Sequence, residues 1–112
     1  MPEKRKEAKN MSVRTNLNGR VLTAYLEGEI DHHSAKIMRE TIDREINAAA
    51  PQMLVLDFKD VSFMDSSGIG LVMGRYKELK KCDGELHIVN TAANITKVMK
   101  LAGLERLAKI GR

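Results

Sequence analysis

Tryptophan is absent from this chain of 112 residues, and with two Phe and two Tyr the aromatics reach only 4%. Aliphatic side chains and seven Met must therefore fill the core. The shortage also removes the stacking platforms on which single-stranded nucleic acid is bound. A lone cysteine, Cys82, excludes an internal disulfide, and no Cys/His spacing points to structural zinc, so a reducing cytoplasm is the expected compartment. No apolar run approaches the roughly twenty residues of a membrane span, and the N-terminus lacks the apolar stretch of a signal peptide. Also missing are G-x-x-x-x-G-K-[ST], G-x-G-x-x-G and G-x-S-x-G, so neither a phosphate-binding loop nor a nucleophile elbow is present and no cofactor is expected.

The net charge of +4 is unevenly spread, because residues 1–10 hold Lys4, Arg5, Lys6 and Lys9 against Glu3 and Glu7. That stretch offers only Met1 and Ala8 to a core and reads as a disordered basic tail, with the domain at 11–112 and Met11 as an alternative start. The remaining body is nearly balanced. Direct binding of nucleic acid or membrane is therefore not expected.

After the tail, 12–17 and 20–30 read as strands joined at Asn18-Gly19, a two-residue hairpin signal. Leu22, Ala24 and Leu26 alternate with Val21, Thr23 and Tyr25, predicting a strand partly covered on both faces. Ala35, Met38, Ile42, Ile46 and Ala49 form the apolar stripe of a helix capped by Asp31 or Ser34. Residues 53–58 are a continuous apolar run, as in a strand buried on both faces. A second helix follows, with Ile69, Val72, Met73, Tyr76 and Leu79 inward and Asp83-Gly84 as its stop. Next come a strand at 86–89, a helix capped by Asn94 with Ile95, Val98, Met99 and Ala102 inward, and a last strand within 107–110. Strands alternating with helices long enough to cross over predict an α/β fold of one domain: a mixed, mainly parallel sheet with an N-terminal antiparallel hairpin and packed helices.

The segment from Asp60 to Gly74 is the turn from a buried strand into a helix, and it is rich in small residues. With Asp65 as cap, Ser66 lies in the first helical turn, near the positive end of the dipole, where a phosphate is tolerated. Simple capping by Asp65, Ser66 and Ser67 explains the same residues, so local chemistry leaves both readings open. Gly68 and Gly70 sacrifice helix propensity either for a close partner backbone or for close helix-on-sheet packing. A serine hydrolase would need His32 or His33 as base, without an oxyanion-hole motif to accompany it. Asp31, His32 and His33 are consecutive and diverge too much to hold one metal ion. His87, within a strand, reads as structural.

The two blocks Gly28-Glu29-Ile30-Asp31-His32-His33-Ser34-Ala35 and Asp60-Val61-Ser62-Phe63-Met64-Asp65-Ser66-Ser67-Gly68-Ile69-Gly70-Leu71-Val72-Met73-Gly74 together resemble the anti-sigma factor antagonists of the STAS domain family. The similarity runs from about Ser12 to Ile110. It implies a STAS-like domain, monomeric when free, that binds an anti-sigma factor with serine kinase activity and so releases a sigma factor. The resemblance places phosphorylation at Ser66, which ends binding, and gives its reversal to a PP2C-type phosphatase. ATP and magnesium belong to the kinase, and the chain itself is not an enzyme. The implied contact surface is Asp31, Asp65, Ser66, Ser67, Gly68 and Ile69, with Gly70 and Gly74 supporting packing. The basic tail and the end soon after Ile110 depart from the family pattern without touching the motif, and the sigma factor is not specified. A scaffold subunit of a larger signalling complex, or a Ser66-dependent hydrolase or nucleotide-handling domain, are the alternatives.

Overall fold

Strands and helices alternate after an opening hairpin in the computed structural model, which describes residues 12–111. The tail at 1–10 and the alternative start at Met11 lie outside the described residues. β1 (Val13–Asn18) and β2 (Val21–Ile30) form the hairpin, followed by α1 (His32–Ala49), β3 (Met53–Met64), α2 (Ser66–Lys80), β4 (Glu85–Val89), α3 (Ala93–Leu101), a 3-10 turn (Leu104–Arg106) and β5 (Lys109–Ile110). The sheet order is β1-β2-β3-β4-β5, with β1 antiparallel to β2 and the remaining pairs parallel. Each parallel step moves to the next neighbour in the same direction, so right-handed crossovers lay the helices on one face.

That face carries the core. Leu22, Ala24 and Leu26 of β2, Leu54, Leu56 and Phe58 of β3, and Leu86 and Ile88 of β4 meet Met38, Ile42 and Ile46 of α1, Val72 and Leu79 of α2, and Ile95 and Met99 of α3. Each large side chain buried this way is worth about 1.5–3 kcal/mol. The opposite face is only half covered: Val21, Thr23, Tyr25, Met53, Val55, His87 and Val89 remain partly exposed. The apolar run at 53–58 therefore does not mark a strand buried on both faces.

Other expectations also shift. The hairpin register Asn18↔Val21 puts Gly19 and Arg20 in the turn, with Gly19 at φ 66°, one residue later than the Asn-Gly signal suggested. The expected turn over Asp60–Met64 is strand instead, because β2 continues alongside it to Ile30, accommodated by irregularities near Tyr25–Glu29. Asn94 does not cap α3; Ala92 precedes it without a side-chain cap, and Val98 is 41% exposed. In α2 the inward positions include Leu71 and Arg75, while Met73 faces solvent at 41% exposure.

Arg75 is the charged exception in the interior. It is 4% exposed, and its Nε lies 2.8 Å from Oδ1 of Asp43, tying α2 to α1. Burial pushes the Asp43 carboxyl up and the Arg75 guanidinium down, and in each case the partner's charge opposes that shift without cancelling it. The cost of desolvating the two charges offsets part of their attraction, and the pair joins α2 to α1. Asp43→Ala, which leaves the buried Arg75 without its ion-pair partner, is expected to cost about 2–3 kcal/mol in chemical denaturation, below the loss for a fully buried pair because Asp43 is partly exposed. Adding Arg75→Met should recover most of it; a single variant as stable as the parent would contradict this role.

Candidate functional site

Parallel pairing of β2 with β3 ends at Ile30↔Met64, and the next residue of each strand is a helix cap. The Asp65 amide donates to the Ile30 carbonyl at 3.1 Å, so the Asp31 and Asp65 caps stand on adjacent strands at one end of the sheet. Here the amino ends of α1 and α2 face the same solvent, as at the carboxyl ends of strands in open α/β sheets.

At α1, Asp31 Oδ1 accepts from the Ser34 amide at 2.9 Å, and Ser34 Oγ accepts from the Asp31 amide at 3.0 Å. Asp31 and Ser34 therefore cap reciprocally, where the sequence offered them as alternatives. Ser34 Oγ also donates to the Glu29 carbonyl at 2.7 Å, anchoring the corner to β2. The Ser34 amide bond holds the Asp31 carboxyl below its usual value, so its negative charge persists further into acid. At α2, Asp65 Oδ1 accepts from the Ser67 amide at 2.8 Å and the Asp65 carbonyl from the Gly68 amide at 2.9 Å.

These bonds assign the capping role to Asp65 and leave Ser66, the first residue of α2, exposed. Ser67 and Ile69 are half-buried beside it. His32 and His33 are exposed at the start of α1, and among the described residues no hydrogen bond joins Ser66 to either. Nor does any group of three or more His, Cys, Asp or Glu among them come together to hold a metal. His87 lies away from this end, with Nε2 3.2 Å from Glu85 Oε1.

The space around the glycines differs from expectation. Gly68, anticipated as a contact residue, is buried, and a Cβ there would overlap Cγ and Sδ of Met64 at the end of β3. Its missing side chain lets α2 start directly against the strand. Gly70 and Gly74, anticipated as packing residues, would place a Cβ with no atom within 4 Å. Each still costs α2 about 0.8–1.0 kcal/mol relative to Ala, less near the helix end, and internal packing does not account for it. Sequence reasoning missed Phe63, one of two Phe in the chain, which stands 51% exposed beside Glu29 at the same sheet end. Its signal was the aromatic shortage itself; the β2–β3 irregularities hid its orientation.

Gly68→Ala is expected to lower stability by about 1–3 kcal/mol through overpacking against Met64. A thermal melt unchanged from the parent would restore Gly68 to the surface.

A model of the STAS domain matches residues 12–112. The chain is 31% identical to the anti-sigma F factor antagonist of Paenibacillus polymyxa, covering 90% of this chain and 86% of that protein. It is 32% identical to the anti-sigma-B factor antagonist of Bacillus subtilis, covering 90% and 91%. Among solved structures it is similar to the anti-sigma factor antagonist SpoIIAA, at 31% identity. The unphosphorylated form gives a TM-score of 0.78, covering 90% of this chain and 89% of the other. The phosphorylated form, from Bacillus, gives 0.71, covering 90% and 92%. In sequence and in strand-and-helix order alike, the chain belongs to the STAS domain family.

Proposed function

We propose that this protein is a cytoplasmic anti-sigma factor antagonist, a binding protein and kinase substrate rather than a catalyst. Unmodified, it binds an anti-sigma factor that carries serine kinase activity and so releases the sigma factor. Phosphorylation of Ser66 by that kinase ends the interaction, and a PP2C-type phosphatase restores it. ATP and magnesium are brought by the kinase.

The observation that carries this reading is the exposed Ser66 hydroxyl at the first position of α2, beside the Asp31 corner and next to a cap, Asp65, that already serves the helix. A kinase can reach such a hydroxyl without unfolding the helix. A phosphoryl group there brings about −1.5 to −2 charges. The positive end of α2 tolerates them, but an interface packed against Ser66 and near ionised Asp31 does not. The existence of SpoIIAA in phosphorylated and unphosphorylated forms supports the same switch. The relatives named above are antagonists of an anti-sigma F factor and of an anti-sigma-B factor, so the sigma factor served is left unassigned.

In this reading Asp31, Asp65, Ser66, Ser67 and Ile69 form the contact surface, with Phe63 added as an apolar anchor and Gly68 acting beneath it. Ser66→Ala should keep kinase binding and abolish phosphate incorporation, mapped by mass spectrometry, while Ser66→Asp should weaken binding at least about tenfold, or 1.4 kcal/mol. Incorporation into Ser66→Ala at the parental level would sink the site assignment. Phe63→Ala should leave stability within about 0.5 kcal/mol, as for an exposed position, yet cost at least about tenfold in affinity by titration calorimetry, as an interface anchor does. Unchanged affinity would remove Phe63 from the surface.

A further inference from the structure

Alongside the Ser66 end, a groove of about 430 Å³ runs between α1 and α2. One wall is His32, Lys36 and Arg39, a single helical stripe of α1; the facing stripe of α2 is Ser67, Gly70 and Gly74. Seven residues at about 1.5 Å rise make each stripe roughly 10 Å long, two turns of helix. Because nothing lies within 4 Å of a Cβ placed at Gly70 or Gly74, the α2 backbone itself is the floor.

The charge in this groove has one sign. Lys36 and Arg39 are exposed cations, and no carboxylate is among the residues that line it. Arg75 closes the far end but is neutralised by Asp43 at 2.8 Å, leaving Lys36 and Arg39 as the positive charges available to a visitor. Between the cations the surface is small and apolar, with Ala35 and Leu71. Ser67 belongs both to this groove and to the surface around Ser66, so the two are continuous.

We propose that the groove receives an acidic segment of the anti-sigma kinase, lying along α2 with carboxylates against Lys36 and Arg39. This rests on the reading that such a kinase is the partner. A kinase that reaches the Ser66 hydroxyl already sits over the start of α2, and the groove is where the contact continues. Its glycine floor admits a partner backbone or small side chain that any larger residue would exclude. Its cations steer the encounter and make association salt-dependent. The groove's cations thus set how fast the complex forms, its floor adds to how tightly it is held, and Ser66 sets whether it lasts.

The test uses the whole chain and the purified anti-sigma kinase of the same organism, with surface plasmon resonance at two salt concentrations and phosphate mapping at Ser66. Gly70→Ala/Gly74→Ala should melt at or above the parental temperature, since alanine favours helix and meets no clash, yet bind the kinase at least about tenfold more weakly. Lys36→Glu/Arg39→Glu should slow association and lose most of its salt dependence. The inference falls if the parent is bound and phosphorylated at Ser66 while both variants bind within about twofold of it. If groove variants instead convert a dimer of this chain to monomer with kinase binding intact, the occupant is a second copy and the proposal is wrong. A parent chain that neither binds nor accepts phosphate overturns the functional reading, and the groove assignment with it.

Discussion

The parallel ladder between β2 and β3 is the constraint on which the rest depends. It runs from Val21↔Met53 to Ile30↔Met64 and stops where both strands give way to helix caps. Since neighbouring strands lie only about 4.8 Å apart, equal endings force the starts of α1 and α2 side by side. The bond from the Asp65 amide to the Ile30 carbonyl closes the ladder at that end. A shift of one residue would turn Leu54, Leu56 and Phe58 out of the core, so packing far from the site enforces the register that builds it.

Within this frame, stability and the proposed switch are carried by different atoms. Asp65 supplies the cap bond, Gly68 lets the helix begin against Met64, and Ser66 takes no part in that cap bond. A modified Ser66 therefore adds charge without withdrawing a bond that the fold needs. The buried Arg75–Asp43 pair holds α1 and α2 at a set spacing, and the same spacing keeps the groove between them open. In the proposed switch, phosphorylation would change the surface and leave the scaffold beneath in place.

Much of this was legible in the sequence. Element order followed from the hairpin signal and from the alternation of strand-like and helix-like periods, because Met38, Ile42 and Ile46 recur at the spacing a buried helix face requires. Ser66 as the candidate acceptor came from the Asp31 and Asp65 blocks taken together. What stayed hidden depends on tertiary contacts. A glycine in a string gives no sign of whether its missing side chain makes room for Met64, as at Gly68, or leaves a groove open, as at Gly70 and Gly74. Asp60–Met64 lacks an apolar run, and only the neighbouring β2 makes it strand; Phe63 was overlooked for the same reason. Arg75 interrupts an apolar stripe, and its partner Asp43, on another helix, is invisible to helical periodicity.

The central claim is that one phosphoryl group on Ser66 decides whether this surface holds its partner. It is tested most directly by titrating the anti-sigma kinase with the chain before and after complete phosphorylation at Ser66, under identical salt and nucleotide conditions. The account predicts a loss of affinity of at least about thirtyfold, close to 2 kcal/mol, with an unchanged melting temperature for the free chain. Equal affinity of the two forms would contradict it.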